Sequence, residues 1–508
     1  MFQAELPGRA WPLYVALALA AGITIHSQSK HQSRLPPGPS FPSILWGMNE
    51  EQPWLSFTAW ATIYGKLFHF YFLNQNIVTL NTEDAARALL EQRSMNYSDR
   101  PLDPRIRELH GLNFSAAFLP YGDEWRHHRK VFHQAFRSTA THSYWPIQLR
   151  KAHALLENLL RAPEDLFEHI STFAASTIMS VVYGYEASST GDPFVTTVEK
   201  AMHVLTTTLS PARGLMLLAF PFIINIPTWL PGGSFQRRAL ECKGLQRRMR
   251  ETPFQYVQDA LALGTAIPSV SSEAMKGIDP EGDASQIETI KSVAASAYAG
   301  GAETTSTSLE IFFLAMVLFP EAQRRAQAEI DAIVGVDRLP TFEDRSSMPF
   351  IEATLRETLR WHPVAPLGVA HQAREADSFE GYRIPKGATV FPNVWAMTQD
   401  NKRYPDSDKF KPERFLNTDG TLNNDTVSYV FGFGRRICPG RHFADASLWS
   451  AIVSVLAVFN IEKPESGFSE PKWISGATSR PAPFPCRITP RVPGTDAERL
   501  EALIACAA

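Results

Sequence analysis

One helical run constrains this chain more than any other feature. It starts near Asp283, with Gln286 three residues on as a capping-box partner, and continues to Phe319, where Pro320 stops it. At 1.5 Å per residue such a helix is about 54 Å long, enough to cross a whole domain. It is apolar on several faces, so it belongs at the centre of a large body. Its middle reads Ala299-Gly300-Gly301-Ala302-Glu303-Thr304-Thr305. Two glycines cost about 1 kcal/mol each in a helix interior, so something has to approach the backbone there. A helix crossing at small residues and a close ligand both fit.

The rest of the chain can supply that body. Its 508 residues are 44% hydrophobic, which excludes disorder and small disulfide scaffolds. The 49 Lys and Arg against 52 Asp and Glu leave a net charge of -3 without a strong charge run, which argues against a nucleic-acid partner. Four scattered cysteines, Cys242, Cys438, Cys486 and Cys506, suit neither a disulfide framework nor a spaced zinc site.

Residues 10–25 are uncharged and almost wholly apolar, close to the length that spans a bilayer. Lys30 and Arg34 follow, so the positive-inside rule puts the downstream chain in the cytosol. The expected order is a short tail at 1–9, a transmembrane anchor at 10–26, a linker and proline-rich hinge at 27–42, a catalytic domain at 43–495 and a tail at 496–508. A second apolar stretch, 215–230, contains Pro221 and Pro227 and does not read as a spanning helix. Within the domain, 67–80 reads as a hairpin, Thr82 caps a helix through Gln92, and 382–393 reads as a second hairpin turning at Lys386 and Gly387. Helical patterns outweigh these strands, so the fold class is mainly α with a small β domain.

The chemistry concentrates in Phe431-Gly432-Phe433-Gly434-Arg435-Arg436-Ile437-Cys438-Pro439-Gly440. A cysteine among glycines and arginines, just before an oncoming helix, is expected to have a lowered thiol pKa. The run matches F-x-x-G-x-R-x-C-x-G through Phe431, Gly434, Arg436, Cys438 and Gly440. The chain thus resembles the cytochrome P-450 superfamily, the haem-thiolate monooxygenases. Glu357 and Arg360 supply that family's E-x-x-R pair and Arg414 lies in its P-E-R-F segment, so the resemblance implies a buried charge network of these three behind the cysteine loop.

The resemblance implies heme b with Cys438 as axial iron ligand, and Trp125, Arg129, Arg436 and His371 at the propionates. Trp125 and Arg129 are four apart, hence on one helix face. Glu303 and Thr304 match the acid-alcohol pair that delivers protons, and a threonine hydroxyl bonding a preceding carbonyl can bend and widen the helix there. Tyr298, Ala302, Val364, Leu367, Val369, Gly476 and Ala477 match substrate-facing positions. Nearly all are apolar, which suits a lipophilic small molecule.

No flavin or nicotinamide motif is present, so electrons are expected from a separate NADPH-dependent flavoprotein, NADPH-cytochrome P-450 reductase. Arg126 and Lys130 offer it a basic face, and cytochrome b5 is a second possible donor. The resemblance is to microsomal enzymes of filamentous fungi and basidiomycetes, which implies an endoplasmic reticulum membrane location and secondary metabolism such as terpenoid tailoring. Oxidation of foreign aromatics, a haem-thiolate isomerase or dehydratase, and a haem sensor are the alternative readings.

Overall fold

The computed structural model describes residues 35–507 apart from 73, 189–190, 210–216, 218–219, 221–222, 225, 231–232, 279–282, 466 and 470. The anchor expected at 10–26, the start of the hinge and much of the 215–230 stretch lie outside the described residues. The described end of the hinge is docked onto the body. His69 donates its backbone N–H to the Pro37 carbonyl at 3.0 Å, and a Cβ added to Gly38 would overlap the His69 carbonyl. Proline removes a donor but leaves an acceptor, so this segment is pinned to a strand edge, and the helix Phe41–Gly47 follows.

Nine helices position the site: α1 (Asp123–Phe136), α2 (Trp145–Arg161), α3 (Leu166–Tyr183), α4 (Pro193–Thr208), α5 (Ala284–Leu318), α6 (Pro320–Ile333), α7 (Pro349–Trp361), α8 (Arg441–Val458) and α9 (Ala497–Ala507). The long central helix is α5. Pro320 ends it as expected, but Asp283 makes no side-chain cap bond, so the capping box does not form. Its second half is buried continuously from Thr305 to Val317, packed against α3 and α8. The two glycines divide the two roles proposed for them. A Cβ on Gly301 would press on Ile178 of α3 at 3.0 Å, whereas one on Gly300 would meet nothing within 4 Å. α5 stays α-helical through this point, so the groove comes from the missing side chain rather than from a break.

The hairpin β1 (Leu67–Phe72) and β2 (Gln75–Leu80) forms, turning at Asn74 with φ 63°. Thr82 accepts from the Ala85 N–H, and the helix it starts widens to π geometry over Arg87–Gln92. The second expected hairpin does not form. β5 (Tyr382–Ile384) instead pairs with β4 (Asp377–Phe379), while β6 (Thr389–Pro392) joins β2 in parallel and β3 (His371–Gln372) in antiparallel fashion. All four β6 residues are buried, and Pro385 has no N–H to extend a local ladder. Burial beside β2 outweighs proximity along the chain.

Towards the end, β7 (Phe459–Glu462) pairs with β10 (Arg487–Pro490), and β8 (Trp473–Ser475) with β9 (Ser479–Pro481). The β8–β9 turn, residues 476–478, reaches the site. Residues 496–508, expected as a tail, contain α9. Leu500, Leu503 and Ile504 share one of its faces and pack on the core beside α2. All four cysteines are free. Among the described residues no single helix is long and apolar enough to cross a membrane, and the one pair that passes together, α5 with α6, is bent by 104°.

Candidate active site

The cysteine loop is fixed from both sides. Cys438 donates its backbone N–H to the Phe431 carbonyl at 2.8 Å. Gly434 has φ +53°, and a Cβ there would overlap the Leu90 carbonyl of the π-helical stretch. Its glycine is therefore required by close packing of the loop on that segment. Gly440, in contrast, is open, with nothing within 4 Å of a Cβ, and lines the cavity. The Cys438 sulfur is faced by the backbone N–H groups of Gly440 and Arg441 at the start of α8, and by the Arg129 charge. Burial nevertheless wins and pushes the thiol up, contrary to the lowered value expected from sequence. These contacts, with the Arg441 charge, do not replace lost water, and a metal ion bound to the sulfur would add positive charge that favours the thiolate.

Three arginines and a histidine line the cavity beside this sulfur. Arg129 of α1 donates to the Ile437 carbonyl at 2.7 Å. Arg436 donates to the carbonyls of Ser98, Ala116 and Leu119 and stacks over Trp125, its guanidinium carbon 4.5 Å from the ring centroid. Arg100, which sequence reasoning missed, donates to the carbonyls of Ala117, Val369 and Ala370. His371 is bonded through Nδ1 to the Tyr97 carbonyl at 2.7 Å. None of these arginines has a carboxylate ion pair among the described residues. Burial, and then the Arg436 charge, hold Arg100 well below its ordinary range, and burial lowers Arg436 to about 10. Burial and the Arg100 charge likewise hold His371 neutral. The wall is thus short of negative charge. A flat, dianionic group that also carries a metal to the sulfur fits it, as haem with its two propionates would.

Across from the sulfur, α5 presents Ala299, Gly300, Thr304 and Ser308 to a cavity of about 570 Å³. The Thr304 hydroxyl donates to the Gly300 carbonyl at 2.6 Å, leaving its lone pairs to the cavity. Beside it, Glu303 accepts from the Thr478 hydroxyl at 3.3 Å. Val364, Leu367, Val369, Gly476 and Ala477 all line this space. Tyr298 and Ala302 do not. Tyr298 donates its hydroxyl to the Phe194 carbonyl at 2.7 Å and packs on Tyr183, and Ala302 shares the same core cluster. One residue along a helix turns the side chain by about 100°, so a small error in facing moves a wall position into the core.

Behind the loop, Glu357 and Arg360 of α7 are fully buried and form a bidentate pair at 2.6 and 2.8 Å. Arg414 adds a bond to Glu357 at 3.1 Å, and the Lys411 backbone N–H another at 2.7 Å. The three residues grouped from sequence are therefore one network. Arg100 was missed because Ser98-Asp99-Arg100-Pro101 carries no spacing motif; an arginine before a proline is its sole local signal.

The model of the cytochrome P450 family matches residues 33–484. The chain is 37% identical to cytochrome P450 monooxygenase COX2 of Coprinopsis cinerea over 94% of each chain. It is 37% identical to cytochrome P450 monooxygenase ple1 of Rhodocybe pseudopiperita over 95% of each. It is 34% identical to tryptamine 4-monooxygenase of Psilocybe cyanescens, over 94% of this chain and 97% of that one.

Proposed function

The chain belongs to the cytochrome P450 family, and from that premise we propose a membrane-anchored monooxygenase that oxidises a neutral, lipophilic skeleton of the terpenoid type in fungal secondary metabolism. Cytochrome P450 monooxygenases use haem and electrons passed from NADPH through a reductase. Cys438 would hold the haem, which when bound would supply the dioxygen activation that a monooxygenase needs.

The chain's own residues do the rest. Arg100, Arg129, Arg436, Trp125 and His371 would hold the cofactor, and α8 points its first N–H groups at the sulfur. Thr304 is poised to accept a proton donor's hydrogen bond from the cavity, with the Glu303 carboxylate beside it as proton store. Exposed Arg126 and Lys130 on α1 offer an acidic reductase a landing face.

The observation that carries the substrate class is the absence of any carboxylate among the described residues lining the cavity. A primary amine such as tryptamine would enter as a cation against described walls that carry no carboxylate of their own, the nearby Glu303 being already engaged by Thr478. The test is co-expression with a reductase and titration of the holoenzyme with neutral terpenes and with tryptamine. Substrate-type spectral shifts and oxygenated product are expected from the terpenes alone, and tighter binding of the amine would refute the class. In the same assay Thr304→Ala should consume NADPH while releasing peroxide, and unchanged coupling would remove Thr304 from proton delivery.

The apolar run before Lys30 and Arg34 supports an endoplasmic reticulum anchor at 10–26 with the body facing the cytosol. Removing residues 1–34 should then shift the protein out of the alkali-resistant membrane fraction, and retention of both forms there would count against that anchor.

A further inference from the structure

Three consecutive residues tie the 476–478 turn to two parts of the body, α5 and the 362–364 segment. Thr478 donates to Glu303 of α5 at 3.3 Å. Ser479 donates its N–H to the Val364 carbonyl at 2.8 Å, and its hydroxyl lies 2.9 Å from Nε2 of His362. Arg480 reaches back to α5, its Nη1 standing 3.9 Å from Oε1 of Glu310. The other face of the turn packs closely on α4, where a Cβ on Gly476 would lie 2.8 Å from the Thr206 carbonyl. Gly476, Ala477 and Thr478 all line the cavity, so any shift of this turn reshapes one wall.

The third tie differs from the other two. Glu310 is buried, its side chain 6% exposed, and its Oε2 has no hydrogen-bond partner. The gap from Oε1 to Arg480 is too long for a hydrogen bond, and closing it takes movement of about 1 Å. Arg480 has no other ion pair among the described residues and is partly exposed, free to make that movement. Glu310 lies two helical turns beyond Glu303 on the same helix, outside the cavity, and the oxygen chemistry makes no use of it.

We propose that Glu310 is a positioning residue: through Arg480 it latches the 476–478 turn onto α5, setting both a substrate-contacting wall and the Thr478 contact to Glu303. The latch has two states. A neutral Glu310 leaves Arg480 in solvent and the turn loose, whereas an ionised one draws the guanidinium in. Burial raises the Glu310 carboxyl to about 7, the Arg480 charge opposes this and the Glu303 charge adds to it. Exchange between the states therefore falls in the physiological range, with the latch engaged above about pH 7. His362, on the far side of the hairpin, is lowered by burial to about 3 and stays neutral throughout.

The inference rests on reading the cavity as the substrate chamber, but its test does not depend on which substrate enters. Amide hydrogen–deuterium exchange of the 473–481 segment is measured in the holoenzyme at about pH 6 and about pH 8, either side of the Glu310 midpoint and corrected for intrinsic rates. The wild type should gain protection several-fold at the higher pH. Glu310→Gln and, independently, Arg480→Gln should hold protection at the low value at both. In parallel, affinity for a bulky phenylimidazole, corrected for the ligand's own protonation, should lose its remaining pH dependence in both variants, while the corrected affinity for imidazole itself stays as in the wild type. The same pH-dependent protection in Glu310→Gln as in the wild type overturns the latch. Loss of terpene binding with the latch signature intact would instead count against the proposed substrate class.

Discussion

Glu357 and Glu310 are both buried carboxylates on core helices, seen from opposite sides of the same site. Glu357 on α7 has both oxygens bonded, one to Arg360 and the other to Arg360, Arg414 and the Lys411 N–H. Glu310 on α5 has one oxygen without a partner and the other beyond bonding distance of its nearest cation. Similar burial therefore gives unequal consequences. A satisfied carboxylate can be held ionised away from water, and its loss strands its partners; an unsatisfied one takes up a proton instead. The back of the cysteine loop is built to stay put, and the wall over the cavity is built with one joint left open.

The sharpest way to break this contrast is Glu357→Ala. It would leave Arg360 buried and uncompensated, at a cost of roughly 3 to 5 kcal/mol. The purified variant should lack haem and give no carbon-monoxide spectrum of the thiolate type. Full haem occupancy would show that the network is dispensable.

Glu310→Gln should act in the opposite direction. The Glu310 carboxyl is raised from 4.5 to about 7 in the folded protein, so folding favours its protonated form. Its contribution is fully present below pH 4.5 and declines as pH rises towards about 7, a swing of roughly 3 kcal/mol. Glutamine keeps the neutral shape, so the variant should match the wild type near pH 4.5 and exceed it by that margin near pH 8. Denaturation midpoints across this range decide the matter, and a gap that does not change with pH would refute the raised Glu310 carboxyl.

Sequence reading reached the parts of this molecule whose geometry is local. The Cys438 loop, the hairpin at 67–80 and the limits of α5 each depend on residues next to one another, and each is found within a residue or two of its expected place. What escaped depends on distant neighbours. β6 leaves its expected hairpin because a buried position beside β2 was available some 300 residues upstream in sequence. Tyr298 and Ala302 face the core because α3 and α4 cover that side of α5. Arg100 joins the cation wall only when folding brings residues 98–119 against the cysteine loop. The raised Cys438 thiol could not be foreseen either, since burial is decided by everything that packs around it.

The contact between Gly38 and the His69 carbonyl has a mechanical consequence. A chain that enters the body through a joint with no room for even a methyl group cannot swivel there. Torque applied upstream is passed to the edge strand β1 instead of being dissipated in the linker. Alanine at position 38 would therefore have to push Pro37 and the β1 edge apart, turning a rigid bracket into a loose joint.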